Sequence, residues 1–482
     1  MVDVGSNSVR MVVFEGHCRA PAVLYNEKVM CGLGAQLNET GALDPEGKMR
    51  ALGALRRFSA LAPGLRIGAL CGVATAAIRE AVDGPAFRDM VEQETGIRLA
   101  IASGADEARL AAKGVLFGNP SADGVVVDLG GGSLEFTRIR RGEVTEGTTT
   151  PLGPLRLNAF DLAGDAEDEM DRHLREIGGE YTLDGGTLYL VGGSWRALAK
   201  VQMIRSAHPV QVIHEYRMSR REAEALCDQV AAETPEELIA LPGVSANRVG
   251  FMPLSAKLLK RVMHWTDPGD IRCSGFGLRE GVCLENLPES IRSQDPLIAA
   301  CREQEMRRAR APGFGSELGD WVQMVLPPRS PREARLMRAA ATLSDVNWRT
   351  HPDFRAEGCW ETVTRTSITD VGHEGRVWLG AALVVRYKAR GKRRLAEMPE
   401  VSLLGEEELD RAEKLGLALR LGATLAGAAP GILQHSRVFK TDELLTLELD
   451  PEIRGFAGEE VDKRLGHLAR AMELEWELRF RD

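Results

Sequence analysis

The stretch "GVVVDLGGGSLEF", residues 124–136, decides the fold. Three valines lead to Asp128, a glycine-rich turn with Ser133 follows, and the chain then becomes apolar again. A branched apolar run that ends in such a turn and then resumes is typical of two paired strands. The opening "MVDVGSNSVRMVVFEG", residues 1–16, repeats this order, with an aspartate, an apolar residue, glycine and serine before a second apolar run. The repetition predicts a duplicated fold.

The rest of the chain alternates strand and helix patterns as far as residue 287. The alternation covers residues 1–121 and starts again at residue 122, where it includes "TLYLVGGSWRALAKV" (187–201), a strand, a glycine turn and a helix. "DIRCSGFGLREGVCLENL" (270–287) repeats that order and closes the second half. Alternating strands and helices are typical of α/β domains. We therefore predict an α/β fold of two halves, 1–121 and 122–287, with a cleft between them.

The pattern changes after residue 287. Long charged segments with helical periodicity predict a mainly helical domain over residues 288–400. In the last part, 401–482, "LLTLELD" (444–450) alternates like a strand, and "EEVDKRLGHLARAMELEWELRF" (459–480) is interpreted as a final helix. This part is predicted to be a small α+β tail.

Composition excludes several classes of protein. The 482 residues carry a net charge of −9, with 44% hydrophobic and 27% charged residues. These fractions are ordinary for a globular protein, and the acidic balance argues against a nucleic-acid partner. The longest weakly polar run, residues 421–433, is shorter than the roughly 18 residues of a membrane span, so no membrane partner is expected. Eight scattered cysteines, with no C-x-x-C pair and no secretory segment, indicate a reduced, cytoplasmic protein.

The two turns have the composition of phosphate-binding loops. Backbone N–H groups that converge in a tight turn hydrogen-bond a phosphate, and glycine allows close approach of the ligand. A carboxylate before each turn would repel a bare phosphate, so Asp3 and Asp128 are predicted to be ligands of Mg²⁺. One such hairpin could be only a hairpin, but two copies in the same register favour binding. The residues predicted to bind phosphate are Gly5, Ser6, Asn7 and Ser8 in the first turn, and Gly130, Gly131, Gly132 and Ser133 in the second.

Further candidates lie outside the two turns. Gly193 and Ser194 stand at the start of a helix, a position suited to an anion, although many strand-to-helix turns require glycine without any ligand. Arg79 could clamp a phosphate with its guanidinium or be a solvated helix arginine. Glu107 and Glu135 are candidates for the general base that deprotonates an attacking water. Each could also be an ordinary helix-start or strand acid.

Six segments together resemble the exopolyphosphatase and guanosine pentaphosphate phosphohydrolase (Ppx/GppA) family, and the chain is most similar to an exopolyphosphatase. They occur in the family's order: "DVGSNS" (3–8), "ATAAIR" (74–79), "SGADEARL" (103–110), "DLGGGSLE" (128–135), "VGGSW" (191–195) and "SGFGLREG" (274–281).

The resemblance implies a tandem ribonuclease H-like fold of the actin and sugar-kinase type, with phosphate bound in the cleft. It implies Mg²⁺-assisted hydrolysis of a terminal phosphoanhydride, in which Glu107 activates the water and Asp128 and Glu135 are further catalytic residues. Catalysis would consist mainly of placing the water in line and neutralising developing charge. The implied substrate is inorganic polyphosphate or guanosine pentaphosphate, and we expect a homodimer.

Two features depart from the family pattern. The chain begins two residues before Asp3, so its first strand is short, and the native N-terminus could lie upstream of Met1. Longer family members carry a helical HD-type domain, but "LSDVNWRTHPDFR" (343–355) lacks the expected leading His and paired His-Asp. We therefore predict that residues 288–400 form an HD-like domain without the metal motif, in which His351 is structural rather than a ligand.

We expect polyphosphate to be the substrate, because basic residues after residue 300 could form a positive track for a long anion. These are "RYKARGKRR" (386–394) and the arginines at 307, 308, 310, 332, 335 and 338, each of which could instead be solvated. Guanosine pentaphosphate is the main alternative. A kinase or ATPase of the same fold would need an adenosine pocket beside "VGGSWRAL" (191–198), where Trp195 would crowd it. A third alternative is a non-catalytic sensor of polyphosphate or alarmone.

Overall fold

The computed structural model describes residues 1–366, 368–388 and 391–481. The chain forms two compact units: Met1–His208 with Ile213–Ser293, and Pro209–Val212 with Gln294–Asp482. The domain boundaries expected after residues 121, 287 and 400 remain predictions.

The first half of the first unit is a mixed sheet with helices. Its strands are β1 (Val2–Val4), β2 (Ser8–Phe14), β3 (Val23–Met30), β4 (Gly72–Ala74) and β5 (Leu99–Ile101). Its helices are α1 (Leu37–Thr40), α2 (Pro45–Gly64), α3 (Ala76–Glu80), α4 (Gly84–Thr95) and α5 (Gly104–Gly118). The strand order is β3-β2-β1-β4-β5, in which β2 is antiparallel to both neighbours and β4 is parallel to both of its neighbours. The sheet buries Val2 and Met11 in one apolar cluster with Leu55 and Phe58 of α2.

The second half begins with the same hairpin. Its strands are β6 (Gly124–Leu129), β7 (Leu134–Arg140), β8 (Glu143–Val144), β9 (Thr148–Thr150), β10 (Thr187–Gly192), β11 (Tyr216–Ser219) and β12 (Asp270–Cys273). Its helices are α6 (Pro154–Ala163), α7 (Ala166–Ile177), α8 (Gly193–Arg205), α9 (Arg220–Ala231), α10 (Pro235–Ile239), α11 (Ala246–Val249), α12 (Met252–Thr266), α13 (Leu278–Asn286) and α14 (Glu289–Arg292). The strand order is β11-β12-β10-β6-β7-β8, and β9 also pairs with β7. As in the first half, an antiparallel hairpin continues into parallel strands.

The two halves meet through α5 and α13, the helices that follow β5 and β12. A Cβ atom at Gly281 of α13 would lie 1.9 Å from the carbonyl oxygen of Leu110 in α5. A Cβ atom at Gly114 of α5 would lie 2.1 Å from the carbonyl oxygen of Gly277. Because neither position has room for a side chain, the two helices pack backbone against backbone. This contact holds the two sheets around the cleft.

The second unit is mainly helical. Its helices are α15 (Pro296–Arg308), α16 (Phe314–Val325), α17 (Pro331–Leu343), α18 (Arg355–Thr364), α19 (His373–Tyr387), α20 (Gly391–Leu395), α21 (Glu406–Leu425) and α22 (Glu459–Ala471). Its strands β13 (Ser436–Lys440), β14 (Leu444–Leu449) and β15 (Glu475–Phe480) form a sheet in that order. One buried apolar cluster extends from Leu297 of α15 to Ala469 of α22.

The interpretation of residues 459–480 as one helix is wrong at its C-terminal end. The helix α22 ends at Ala471, and residues 475–480 form β15, which pairs in parallel with β14. The segment "EWELRF" alternates polar and apolar residues, which favours a strand. The helical periodicity of residues 459–471 suggested that the helix continued to residue 480. The pairing of residues 475–480 with residues 444–449 is a long-range contact, which a local pattern does not show.

The predicted fold class is otherwise confirmed, with two α/β halves followed by a mainly helical region and a small α+β tail. The eight cysteines are all free thiols. Across the described part of the chain, every helix is too short or too polar to span a bilayer.

Candidate active site

The two hairpin turns have the same geometry and face each other. In the first, the N–H of Gly5 donates to the carbonyl oxygen of Ser8 at 3.0 Å, and in the second the N–H of Gly130 donates to that of Ser133 at 3.0 Å. A Cβ atom at Gly131 would lie 3.5 Å from the Cβ of Ser6 across the cleft. The turns therefore approach each other from the two sheets, as the repeated sequence predicted.

A cavity of about 270 Å³ lies between the turns. Most of the predicted site residues line it, namely Asp3, Gly5, Ser6, Asn7, Ser8, Glu107, Asp128, Gly130, Gly131, Gly132, Ser133, Gly193 and Ser194. Arg79 and Glu135 are not among its lining residues. They lie directly behind it, where each interacts with Glu107.

Glu107 is held in the wall of the cavity by its helix and by one arginine. The helix α5 begins with a capping box formed by Ser103 and Asp106, which directs Glu107 of the first turn inward. Arg79 forms an ion pair with the Glu107 carboxylate, and its Nη1 also donates to the carbonyl oxygen of Ala102 at 2.8 Å. Arg79 therefore orients Glu107, which is only 9% exposed.

Burial and mutual repulsion raise the pKa values of the carboxyl groups around the cavity. Burial raises the pKa of Glu107 to about 7, and Asp128 and Asp3 add to the shift while Arg79 opposes it. Burial also raises the pKa of Asp128 to about 6, and it raises the pKa of Asp3. A carboxyl group with a pKa near neutrality is suited to accept a proton from water. Glu107 meets that requirement.

Glu135 lies in different surroundings. It lies opposite Asp128 on β7, is 3% exposed, and accepts a hydrogen bond from Thr149 Oγ1 at 3.2 Å. Burial, followed by repulsion from Glu107 and Asp128, raises its pKa well above the ordinary value. Glu107, whose pKa is raised to about 7, is therefore the stronger candidate for the base.

Five cationic side chains of the cavity were missed by sequence reasoning. They come from five different elements of the first unit: Arg10, Lys28, Arg196, Arg248 and Arg279. Burial, with the neighbouring Arg279 and Arg196, lowers the pKa of Arg10 to about 10. The two arginines therefore add to the effect of burial, while Asp3 and Glu280 oppose it. The cavity is therefore suited to an anion with several charges.

A sequence signal existed for some of these cations. Ser8 and Arg10 lie two apart on β2 and so share a face, and Arg10 lies directly between Asp3 on β1 and Lys28 on β3. Arg196 and Arg279 belong to the quoted segments around residues 191–198 and 274–281. Arg248 had no such signal, because only the folding of α11 beside α8 brings it to the cavity.

Arg248, not Trp195, occupies the space beside the third glycine turn. Trp195 is fully buried in the apolar core behind α8. The guanidinium of Arg248 lies 2.9 Å from the position of a Cβ atom at Gly193 and donates to the carbonyl oxygen of that residue. The expectation that Trp195 would crowd a nucleoside there is therefore wrong, since the helical spacing of α8 turns the indole inward.

The carboxyl groups fit a divalent cation in part. Within the described ranges, no group of three or more His, Cys, Asp and Glu side chains is placed to hold a metal ion. Asp3 and Asp128 both line the cavity. Repulsion from Asp3 contributes to the raised pKa of Asp128. Two carboxylates, completed by water and phosphate oxygens, are the ligand set that Mg²⁺ prefers.

The arginines predicted to form a positive track in the second unit are mostly paired within that unit. Residues 389 and 390 of the basic run lie outside the described residues. The pairs are Arg307 with Glu303, Arg308 with Asn347, Arg310 with Asp345, Arg335 with Asp295 and Asp370, and Arg338 with Asp320. His351 is exposed, and its Nδ1 accepts from the N–H of Asp353 at 3.4 Å. These contacts are structural.

Comparison with known proteins extends over both units. The sequence model of the Ppx/GppA phosphatase family matches residues 12–290, and that of the exopolyphosphatase C-terminal family matches residues 297–477. Exopolyphosphatase 1 of Mycobacterium tuberculosis is 24% identical over 301 residues, which cover 60% of this chain and 87% of the relative. Guanosine-5'-triphosphate,3'-diphosphate pyrophosphatase of Vibrio atlanticus is 24% identical over 364 residues, 72% of this chain and 71% of the relative.

Solved structures share the fold over more than half of the chain. An exopolyphosphatase from Cytophaga hutchinsonii has a TM-score of 0.51 at 23% identity, covering 58% of this chain and 95% of its own. The Ppx/GppA family member from Aquifex aeolicus has a TM-score of 0.52 at 22% identity, and the match covers 58% of this chain and 94% of that protein. The predicted tandem ribonuclease H-like architecture is thereby confirmed. Because the family match covers more than half of the chain, the protein belongs to the Ppx/GppA phosphatase family and is a hydrolase.

Proposed function

We propose that this protein is an exopolyphosphatase, which removes the terminal phosphate of inorganic polyphosphate. The observation that carries the proposal is the group of five cationic side chains around a cavity that two phosphate-type turns enclose. A single phosphate needs fewer cations, whereas consecutive phosphates of a polyanion place several charges in one site. The match to the exopolyphosphatase C-terminal family over residues 297–477 also supports this substrate.

In the proposed complex the terminal phosphate lies between the two turns. The backbone N–H groups of both turns donate to its oxygens, as glycine turns do for phosphate. The guanidinium groups of Arg10 and Arg279 are suited to the following phosphates, because Arg279 Nη1 is buried and lacks a hydrogen-bond acceptor among the described residues. A phosphate oxygen would supply that acceptor.

The proposed hydrolysis is an in-line displacement. The oxygen of a water molecule forms a bond to the terminal phosphorus while the P–O bond to the preceding phosphate breaks. The water proton passes to the carboxylate of Glu107, and the shortened polyphosphate leaves as an anion. The cationic groups and the backbone N–H groups stabilise the charge that develops on the phosphoryl oxygens.

Mg²⁺ is proposed as the cofactor, held by Asp3 and Asp128. When bound, it would neutralise phosphate charge close to the two carboxylates and lower their pKa values. Asp3 and Asp128 are suited to hold the cation together, because they occupy matching positions of the two hairpins.

Guanosine pentaphosphate remains the second candidate. The alignment with the Vibrio atlanticus guanosine-5'-triphosphate,3'-diphosphate pyrophosphatase covers more of this chain than that with the mycobacterial exopolyphosphatase. Against a kinase or ATPase, Arg248 fills the space beside Gly193 where that alternative required an adenosine pocket. Most of the arginines expected to form a positive track in the second unit are paired within that unit. The proposal of polyphosphate therefore rests on the cationic side chains of the cavity.

Phosphate release from long polyphosphate, guanosine pentaphosphate and ATP, with and without Mg²⁺, tests the proposal. We expect release from polyphosphate that requires the divalent cation. Glu107→Gln should lower kcat by about 100-fold or more, because a general base contributes about that much. The matched control is Glu46→Gln, which alters an exposed acid of α2 outside the cavity. A preference for guanosine pentaphosphate by orders of magnitude would favour the second candidate, and unchanged activity of Glu107→Gln would contradict the assigned base.

A further inference from the structure

Three helices of the second unit bring arginine side chains close together. Arg386 lies at the C-terminal end of α19, and Arg420 lies near that of α21. These two helices pack backbone against backbone, since a Cβ atom at Gly416 of α21 would lie 2.4 Å from the carbonyl oxygen of Ala382 in α19. The helix α22 packs against α21 and contributes Arg464.

Each of these arginines has a buried nitrogen atom that lacks a hydrogen-bond acceptor among the residues that the structure describes. The atoms are Arg386 Nε, Arg420 Nη1 and Arg464 Nε. His467 follows Arg464 by three residues on the same face of α22, and its Nδ1 is buried without a hydrogen-bond partner within the described ranges. A polar group that leaves water without gaining a partner costs free energy, and a charged group costs more. We call these four side chains the arginine cluster.

The members of the arginine cluster repel one another. Burial lowers the pKa of Arg420 to about 10, and repulsion from Arg464 and Arg386 adds to this effect while Glu460 opposes it. Burial also lowers the pKa of His467, and repulsion from neighbouring cations, which include Arg464 and Arg420, adds to it. Positive charge from three helices is therefore concentrated in one place.

Elsewhere in the same unit, a carboxylate compensates a half-buried arginine. Arg411, also on α21, forms an ion pair with Glu333. In the arginine cluster, Glu460 forms an ion pair with Arg464. The other two arginines of the cluster have no ion pair within the described part of the chain. The cluster therefore has room for further negative charge in its electrostatic balance.

We propose that the arginine cluster binds one inorganic phosphate ion, as a second anion site inside the helical unit. Guanidinium groups present paired N–H donors that match the oxygen atoms of a phosphate. The ion would supply the acceptors and the negative charge that the cluster lacks among the described residues.

The acids around the cluster favour a single phosphate over a chain of phosphates. Asp345 interacts electrostatically with Arg386, and Glu460 interacts with Arg420. Their negative charges would repel the additional charges of a polyphosphate. The site takes no part in hydrolysis, so the inference goes beyond the proposed function and does not rest on it.

Isothermal titration calorimetry of the full chain with inorganic phosphate tests the proposal. The titration is carried out without divalent cations and at constant ionic strength in sodium chloride. Arg420→Gln should weaken one binding component by about 10-fold or more, because it removes charged donors. Arg279→Gln alters the cavity of the first unit, which is a competing anion site, and should leave that component intact. The matched control is Lys414→Gln, which removes one positive charge from the same helix, where Lys414 lies 2.6 Å from Asp410.

Thermal unfolding gives a second measurement. Arg420→Met removes a buried charge that has no ion-pair partner among the described residues, so without phosphate its Tm should exceed that of the native protein. Saturating phosphate should raise the Tm of the native protein and of Lys414→Gln more than that of Arg420→Met, because the ligand stabilises only the protein that binds it. Circular dichroism of each variant verifies folding.

Several results would overturn the proposal. Arg420→Gln could retain every phosphate-binding component of the native protein, or Lys414→Gln could weaken binding as much as Arg420→Gln does, as expected for a diffuse charge effect. In Arg279→Gln, tighter binding of tripolyphosphate than of phosphate at the cluster would show a site for a chain. A Tm of Arg420→Met below that of the native protein without phosphate would show that the charge of Arg420 is already compensated.

Discussion

Glu107 and Glu135 are both buried carboxyl groups beside the cavity, but their neighbours differ. Glu107 has the Arg79 guanidinium as an ion-pair partner, so burial raises its pKa only to about 7. Glu135 has Thr149 and two other carboxyl groups as neighbours, and burial followed by repulsion from Glu107 and Asp128 raises its pKa well above the ordinary value. The difference in their surroundings assigns the roles, because only the group with a pKa near neutrality exchanges a proton readily at physiological pH.

The raised pKa of Glu107 predicts that the free energy of unfolding decreases as the pH rises. Below the ordinary value of 4.5, the group is protonated in both the folded and the unfolded protein, so it contributes no difference. As the pH rises from 4.5 through 7, the unfolded chain ionises first and the folded protein loses stability, by about 3 kcal/mol in total. Glu107→Gln should therefore be more stable than the native protein at pH 8 and similar at pH 4. Thermal unfolding without divalent cations or phosphate measures this, and a variant less stable at pH 8 would contradict it.

Arg79 sets the working pH of the proposed base. Arg79→Ala removes the cation that opposes the rise in the Glu107 pKa, so the acid limb of kcat/KM should move upward by about one pH unit. Arg79→Lys retains a charge and should move it less. Arg56, which pairs with Glu94 on the surface, provides the control, and Arg56→Ala should leave the profile unchanged. If the acid limb stays in place in Arg79→Ala, another group controls it.

At the scale of elements, the contact of α5 with α13 determines how closely the two halves approach. Gly281→Ala would place a Cβ atom 1.9 Å from the carbonyl oxygen of Leu110, so one of the helices must shift. We expect a loss of more than about 2 kcal/mol of stability, as for other overpacked contacts. Gly53→Ala is the control, because Gly53 lies inside α2 with open space around it and should gain about 0.5–1 kcal/mol. Denaturant unfolding of both variants measures the difference. Equal stability of the two would show that the contact adjusts freely.

At the scale of the whole molecule, the net charge of −9 and the cationic cavity have opposite signs. Anion binding at the cavity is therefore local, and it should stabilise the first unit only. In Glu107→Gln, which would hydrolyse the ligand only slowly, tripolyphosphate at 100 times its Kd should stabilise that unit by about 2.7 kcal/mol. Calorimetry should show an upward shift of one unfolding transition and no shift of the other. An equal shift of both transitions would contradict a site confined to the first unit.

The amino-acid sequence by itself determined the parts of the site that are contiguous in the chain. The two hairpin turns, the aspartates before them and the first turn of α5 with Glu107 follow from local pattern, because glycine, strand periodicity and helix capping act over a few residues. The same local reasoning predicted the two α/β halves, and the structure confirms that fold class.

Tertiary structure alone decided which distant side chains complete the cavity. Lys28 reaches it through the pairing of β3 with β2, and Arg248 through the packing of α11 beside α8. It also placed Arg79 behind Glu107 and made residues 475–480 a strand rather than a helix. The physical reason is the same in each case. Burial, charge and strand pairing depend on residues far away in sequence, which no local pattern brings together.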